Sequence, residues 1–317
     1  MTPFAPKFTT IHSLLSGWAR CQRVDIKAKD LRGNQASVLS HDLSLGSQVK
    51  VLVRSVFDGF YTPERLIDEH TQVPLYASVM HESQALAWRE RLIAGCKPRD
   101  TTERGIRGLG LVESQILRRC PTCMAEDRSL YGCAHWRLFH QWPVVRHCAL
   151  HGDLLQSKCA RCHMPFVRGN QARLADDVCP HCHSINGAAD PFIPPAGYWP
   201  LVRLMFSTLT GHAPSLATIH RSIAALDIQP GRIGLGADTT RAQRMARRTC
   251  HAWNVGSVYE LAAALGVNWI WSNETERSAS LREWPPMVKL ALAANDEPYR
   301  YELKSANDEP IRLPLAA

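Results

Sequence analysis

A mainly α fold with small zinc-ribbon β elements is what this sequence predicts, on three observations. Apolar residues recur at helical spacing on both sides of the middle of the chain. Four short pairs of metal-ligand residues crowd the middle itself, between Cys120 and Cys182. A proline-rich segment, 190–200, then separates that middle from the C-terminal third. The expected organisation is a helical N-terminal part over 1–114, a tandem zinc-binding module over 115–189, and a helical C-terminal part over 190–317 holding a helix-turn-helix candidate.

The first helix is expected from Ile11 to Cys21. Ile11, Leu14, Leu15, Trp18 and Ala19 fall at i, i+3, i+4, i+7 and i+8, one apolar stripe, and Trp18 reads as core. Residues 27–47, polar and broken by Gly33, Asn34 and Gly46, read as loops. Val49 to Phe57 is a second short periodic segment. Thr62-Pro63 reads as a helix start, with the hydroxyl capping and proline at the first helical position. Pro74 lacks an N–H and pushes Val73 away from helical angles, so a break is expected there, with Tyr76 anchored in the core. Ser83 to Ala94 reads as a helix stopped by Gly95. The stretch 96–113 carries Gly105, Gly108 and Gly110 among Arg99, Arg104 and Arg107, matches no phosphate-loop spacing, and reads as a connector or partner-facing strand.

The four pairs are Cys120-x-x-Cys123, Cys148-x-x-His151, Cys159-x-x-Cys162 and Cys179-x-x-Cys182. A two-residue gap lets a tight turn aim both side chains at one ion, and two such turns complete the tetrahedron that zinc prefers. Eight ligands therefore imply two closed sites and two structural Zn2+ ions. The pairs can combine adjacently, interleaved or nested, and spacing alone does not choose. His147, His163, His181 and His183 each adjoin a ligand and read as supporting or solvent-facing residues, because the regular spacing is complete without them. His135 to Gln141 is expected to form a helix between the first two pairs, ending before Pro143. His140 reads as a hydrogen-bonded brace of the metal site.

Composition fits this picture. A chain of 317 residues has room for two or three small domains. No apolar run approaches the roughly 20 residues that span a bilayer, and Met1 to Thr10 lacks the blocks of a signal peptide, so a soluble bacterial cytoplasmic protein with no membrane contact is expected. In that compartment cysteines point to metal rather than disulfides. Cys21, Cys96, Cys133 and Cys250 are left over and read as buried or half-buried thiols. The formal charge of +8 falls to about +5 once seven thiolates and two zinc ions are counted, a modest basic excess favouring nucleic acid or an acidic partner.

Beyond the prolines, helices are expected over Leu201–Leu209, Ser215–Leu226, Ala237–Trp253 and Ser257–Leu265. Arg241, Arg244, Arg247 and Arg248 lie at helical spacing and form one basic stripe, a candidate nucleic-acid contact. Val258 to Val267 is similar to the first helix and turn of a helix-turn-helix, but the next residues, Asn268-Trp-Ile-Trp, are too apolar to read a groove, so a helical hairpin is preferred. Asn295-Asp-Glu-Pro recurs as Asn307-Asp-Glu-Pro, with no functional account.

Three segments carry a family resemblance: Cys120-Pro-Thr-Cys-Met-Ala-Glu-Asp, His135-Trp-Arg-Leu-Phe-His-Gln-Trp-Pro, and Cys148-Ala-Leu-His-Gly-Asp-Leu-Leu. Together they resemble the signature of the TniQ/TnsD family, target-site selectors of transposons related to the Tn-seven group. Ser13-Leu-Leu-Ser-Gly-Trp and Thr71-Gln-Val-Pro-Leu-Tyr are similar to further family elements, although His12 stands where the family places an acidic residue. The resemblance implies adjacent pairing of the ligands. It also implies a non-enzymatic adaptor that joins a target-recognition device to the transposon's AAA+ ATPase regulator. That device would be target DNA read by the protein itself or, as the short chain suggests, an RNA-guided CRISPR surveillance complex. Some relatives suggest a homodimer. The competing expectations are a stand-alone zinc-containing DNA-binding protein and, least, a zinc enzyme, since both sites would be filled by protein ligands.

Overall fold

The computed structural model describes residues 5–23, 48–57, 59–79, 82–94, 116–167, 172–211, 241–267 and 286–294. These are mainly helical, with two very short strands. The chain divides into two compact units. The first comprises Met1–Pro74, Ser83–Asp100 and Glu113–Phe192, the second Leu75–Glu82, Thr101–Val112 and Ile193–Ala317.

In the first unit, helix α1 spans Ile11–Gln22, close to the expected limits. Thr10 caps it by accepting the Ser13 N–H at 3.1 Å. Residues Ile11 to Gly17 are all buried, polar Ser13 and Ser16 included, while Trp18 is half-buried. The stripe is therefore wider than the periodicity implied, because α1 has neighbours on more than one side. Helix α2 (Gln48–Ser55) packs on α3 (Pro63–His70), which presents Leu66, Ile67 and His70 inward. The start of α3 is the one expected: the Thr62 hydroxyl accepts the Arg65 N–H at 3.2 Å and Pro63 follows it. At Pro74 the expected break moves. The chain bends at Thr71–Gln72, and a short helix α4 (Val73–Ala77) takes Pro74 into its first turn, where no N–H is required. Tyr76, which belongs to the second unit, is buried, as expected. Helix α5 runs Glu82–Ala94.

Between the first two ligand pairs the structure corrects the sequence reading. The helix lies earlier, as α6 (Pro121–Tyr131), and only Leu138–Gln141 makes a 3-10 turn. Residues 135–137 are drawn straight because they pair with the N-terminal segment. The Thr10 N–H donates to Trp136 O at 2.8 Å, and the Leu138 N–H to Phe8 O at 2.7 Å. Strands β1 (Lys158–Cys159) and β2 (Gly187–Ala188) are antiparallel, with Cys159 opposite Gly187.

The second unit contains α7 (Tyr198–Leu209), α8 (Arg241–Ala252), α9 (Val258–Ala264) and α10 (Pro286–Ala294). Helix α7 starts three residues before the expected position, and Pro200 sits in its first turn. Helix α10 was not expected. Its residues Met287 to Ala294 are all buried, and it packs against α7, α8 and α9, as befits a helix that is apolar but for Lys289. Ser257 caps α9, accepting the Glu260 N–H at 3.2 Å, while Glu260 reaches back to the Gly256 N–H at 2.8 Å. Gly197 donates to Ala252 O at 2.8 Å. A Cβ there would meet Trp253 Nε1 at 2.5 Å, so the position has space only for glycine. The expected loops at 27–47, the glycine-rich 96–113, the Ser215–Leu226 helix, Asn268 to Trp271 and the Asn-Asp-Glu-Pro repeat lie outside the described residues. No described helix is long and apolar enough to cross a membrane.

Candidate metal centre

The eight donors gather into two sets of four, each with all its donor atoms within 4.8 Å of one another: Cys120, Cys123, Cys148 and His151, then Cys159, Cys162, Cys179 and Cys182. The pairs therefore combine adjacently. In the first set Cys123 Sγ lies 3.6 Å from Cys148 Sγ, and His151 Nδ1 lies 3.4, 3.3 and 3.6 Å from the sulfurs of Cys120, Cys123 and Cys148. In the second, Cys159 to Cys182 and Cys162 to Cys179 are each 3.5 Å apart. Zinc bonded to sulfur and nitrogen at its usual lengths sets tetrahedral edges of about 3.8 Å for S···S and about 3.6 Å for S···N. The separations fit, and a single Zn2+ or similar soft cation could be held by each set.

Three of the four pairs are built by the same turn. The residue after the second ligand donates its N–H to the carbonyl of the first: Gly152 to Cys148 at 2.9 Å, His163 to Cys159 at 3.0 Å, His183 to Cys179 at 2.9 Å. All three sit at positive φ, between 57° and 72°. Glycine takes that conformation at little cost, whereas a residue with a Cβ is strained there. The fourth pair is different. Cys120 is the N-cap of α6, its sulfur accepting the Cys123 N–H at 3.3 Å, with Pro121 at the first helical position. One helical turn then brings both sulfurs within reach of Cys148 and His151.

Two of the thiols are shifted toward the thiolate: Cys159, where burial is outweighed by backbone hydrogen bonds, to about 6, and, further, Cys148. Hydrogen bonds from the Cys120 and Cys123 side chains lower it to about 4 against the opposing effect of burial. Ligands bind deprotonated, so each donor set has one sulfur whose surroundings already favour the bound form.

The residues between the pairs are tied to the donors one by one. His151 turns its second nitrogen, Nε2, to the Glu126 carboxylate at 3.0 Å, which fixes Nδ1 on the sulfurs. His140 is buried and its Nε2 stands 3.4 Å from Cys148 Sγ, the bracing role expected of it. Gln141 accepts the Arg118 N–H and donates back to Arg118 O, both at 2.9 Å. Asp127, fully buried, pairs with Arg137 and accepts the His135 N–H at 3.0 Å. His135 Nδ1 meets Ser13 Oγ at 3.1 Å, and the Trp136 indole donates to Arg173 O at 2.7 Å. The acidic neighbours of the ligands are thus partnered: Asp176 by Arg128, Asp177 by Arg20.

His163, His181 and His183 are exposed, and His147 is buried beside the Phe192 ring. None replaces a ligand. Of the remaining cysteines, Cys133 is half-buried and Cys250 buried; Cys21 is exposed, contrary to expectation, because α1 ends there in solvent. Cys96 lies outside the described residues. On α8, Arg247 and Arg248 are exposed opposite buried Met245, Ala246, Thr249 and Cys250; the side chains of Arg241 and Arg244 lie outside the described residues. Sequence reasoning passed over Glu126 as a partner of His151. The signal available was its spacing: Glu126 follows Cys123 by three residues, one helical turn, once Pro121 and Gly132 are read as start and stop.

Residues 10–155 match the TniQ family model. Over that span the chain is similar to the TniQ family. The TniQ span contains the first donor set and the residues that brace it, and ends before Cys159. The chain is also 28% identical over 130 residues to the Transposon Tn7 transposition protein TnsD of Escherichia coli; the match covers 40% of this chain and a quarter of that protein's length, 25%.

Proposed function

We propose that this chain is a non-enzymatic adaptor in DNA transposition. It couples recognition of a target site to the transposon's AAA+ ATPase regulator and transposase, with two structural Zn2+ ions holding its docking platform rigid. The carrying observation is that each metal set is complete with four protein donors, one of them within the TniQ span. A catalytic zinc keeps one position for water, whereas a structural zinc is closed and contributes folding energy. The turns carrying Cys159 and Cys179, joined by β1 and β2, are read as a zinc ribbon. On the target side the partner is an RNA-guided CRISPR surveillance complex, and the arginines of α8, from Arg241 to Arg248, add a phosphate contact.

The exposed Arg247 and Arg248 favour a second reading, a zinc-containing protein that binds target DNA by itself. Copurification with the transposon ATPase and with the guide complex, beside DNA binding measured across a salt series, separates the two. The adaptor should bind DNA alone only weakly, lose that binding as salt rises, and retain its protein partners. Tight sequence-specific binding without partners would favour the second reading. Arg244→Glu with Arg247→Glu should weaken DNA binding at unchanged melting temperature; unaltered binding removes the arginines from the interface. Light scattering on the same preparation reads out a homodimer.

A further inference from the structure

Four thiolates around Zn2+ leave the second centre with a charge of −2. Its Cys159 and Cys179 are fully buried, so part of that charge sits away from water. Buried charge demands a nearby opposite charge and hydrogen bonds. Backbone N–H groups supply some: Arg161 donates to Cys159 Sγ at 3.4 Å and His181 to Cys179 Sγ at 3.5 Å. They are neutral, and they leave the net charge uncompensated.

Arg119 is a cation in the right place. It is 1% exposed and its guanidinium lies over the Phe166 ring, 3.5 Å from the ring centre. Phe166 belongs to the same buried cluster as Cys159 and Cys179. Nη1 donates to Ala175 O and Nη2 to Ile185 O at 2.7 Å. Those carbonyls lie four residues before Cys179 and three after Cys182, so one guanidinium grips the turn that carries both ligands from its two ends. Besides Arg128 and Asp176, the charges that act on Arg119 are those same buried sulfurs, Cys159 and Cys179, and an arginine keeps its proton at neutral pH. Its backbone exchanges two hydrogen bonds with Gln156, 3.0 and 2.8 Å, which fixes the position of its base.

We propose that Arg119 is the buried counter-cation and positioning residue of the four-cysteine centre. The inference rests on the structural-zinc reading above. Its side chain reaches the second centre although its sequence neighbour, Cys120, serves the first. Lysine could supply the charge without the planar fork that spans two carbonyls, and methionine could supply neither.

Full-length Arg119→Lys and Arg119→Met proteins test this by zinc content, zinc release to a chelator, and the ligand-field spectrum of the cobalt(II)-loaded form. That spectrum separates a four-sulfur from a three-sulfur, one-nitrogen site. Wild type should hold two metals and show both signatures. R119M should hold one metal and lose only the four-sulfur signature. R119K should hold two and release the four-sulfur metal 10–100-fold faster, as for other residues that support metal ligands. Release at wild-type rate in R119K, or joint loss of both signatures, overturns the proposal; R119K alone decides if R119M fails to fold. Fewer than two metals on the wild type would instead sink the zinc reading itself.

Discussion

Glu126 and Asp127 are sequence neighbours with opposite surroundings. The Glu126 side chain is half exposed and steadies His151 from outside, while Asp127 is sealed from solvent and commits its charge to Arg137. Replacing Glu126 by Gln should speed zinc release from the first centre about tenfold, the low end for a supporting carboxylate because water can stand in for it; the second centre should be unaffected, as cobalt spectra would show. His70 is a different case. Its Nδ1 donates to Thr9 O at 2.9 Å and its Nε2 accepts from the Tyr61 hydroxyl at 3.1 Å, which is the neutral form, and burial lowers its pKa to about 4. The unfolded chain takes up this proton near its ordinary 6.5, before the folded one does. The stability is therefore present above pH 6.5 and is lost as pH falls toward 4, by about 2 kcal/mol between pH 7 and 5. Urea unfolding of wild type and His70→Gln at those two pH values should differ by that increment; equal losses would show that His70 is not the group.

Among the elements, the ligand turns show why one short motif supports two geometries. Cys120-Pro-Thr-Cys opens a helix, and Gly132 at φ 76 closes it, whereas the other pairs fold back within five residues. Helix ends elsewhere follow their caps. Thr62→Ala should cost about 1 kcal/mol, since the Arg65 N–H then loses its partner. Gly197→Ala tests a constraint of a different kind, space rather than backbone angle. A methyl group pushed against the Trp253 ring should cost about 1–3 kcal/mol in the second unit. Thermal unfolding measures both, and a neutral Gly197→Ala would mean that α7 and α8 give way without cost.

At the scale of the molecule, the first unit is organised around its donors. Leu117, Met124, Ala134, Trp136, Phe166, Val167 and Ala175 share one apolar cluster with Cys159 and Cys179, and Met124 sits on the helix that carries Cys123. Removing metal by chelation should therefore loosen residues 116–192 together, while α7 to α10, which pack on one another, keep their amide protection. Hydrogen exchange before and after chelation reads this directly; protection lost equally in both units would contradict it.

Ligand identity and spacing are local properties, legible in the residue order alone: eight donors in four pairs, the Thr62 cap with Pro63 behind it, and the apolar stripe of α1. How the pairs combine is set by packing, because any two turns of that spacing could face one ion. Packing also makes residues 135–137 extend. Their helical preference yields to pairing with Phe8 and Thr10, partners more than a hundred positions away. Long-range contact likewise sets the use of Arg119, whose reach to Ala175 and Ile185 exists only after the chain has folded back on itself.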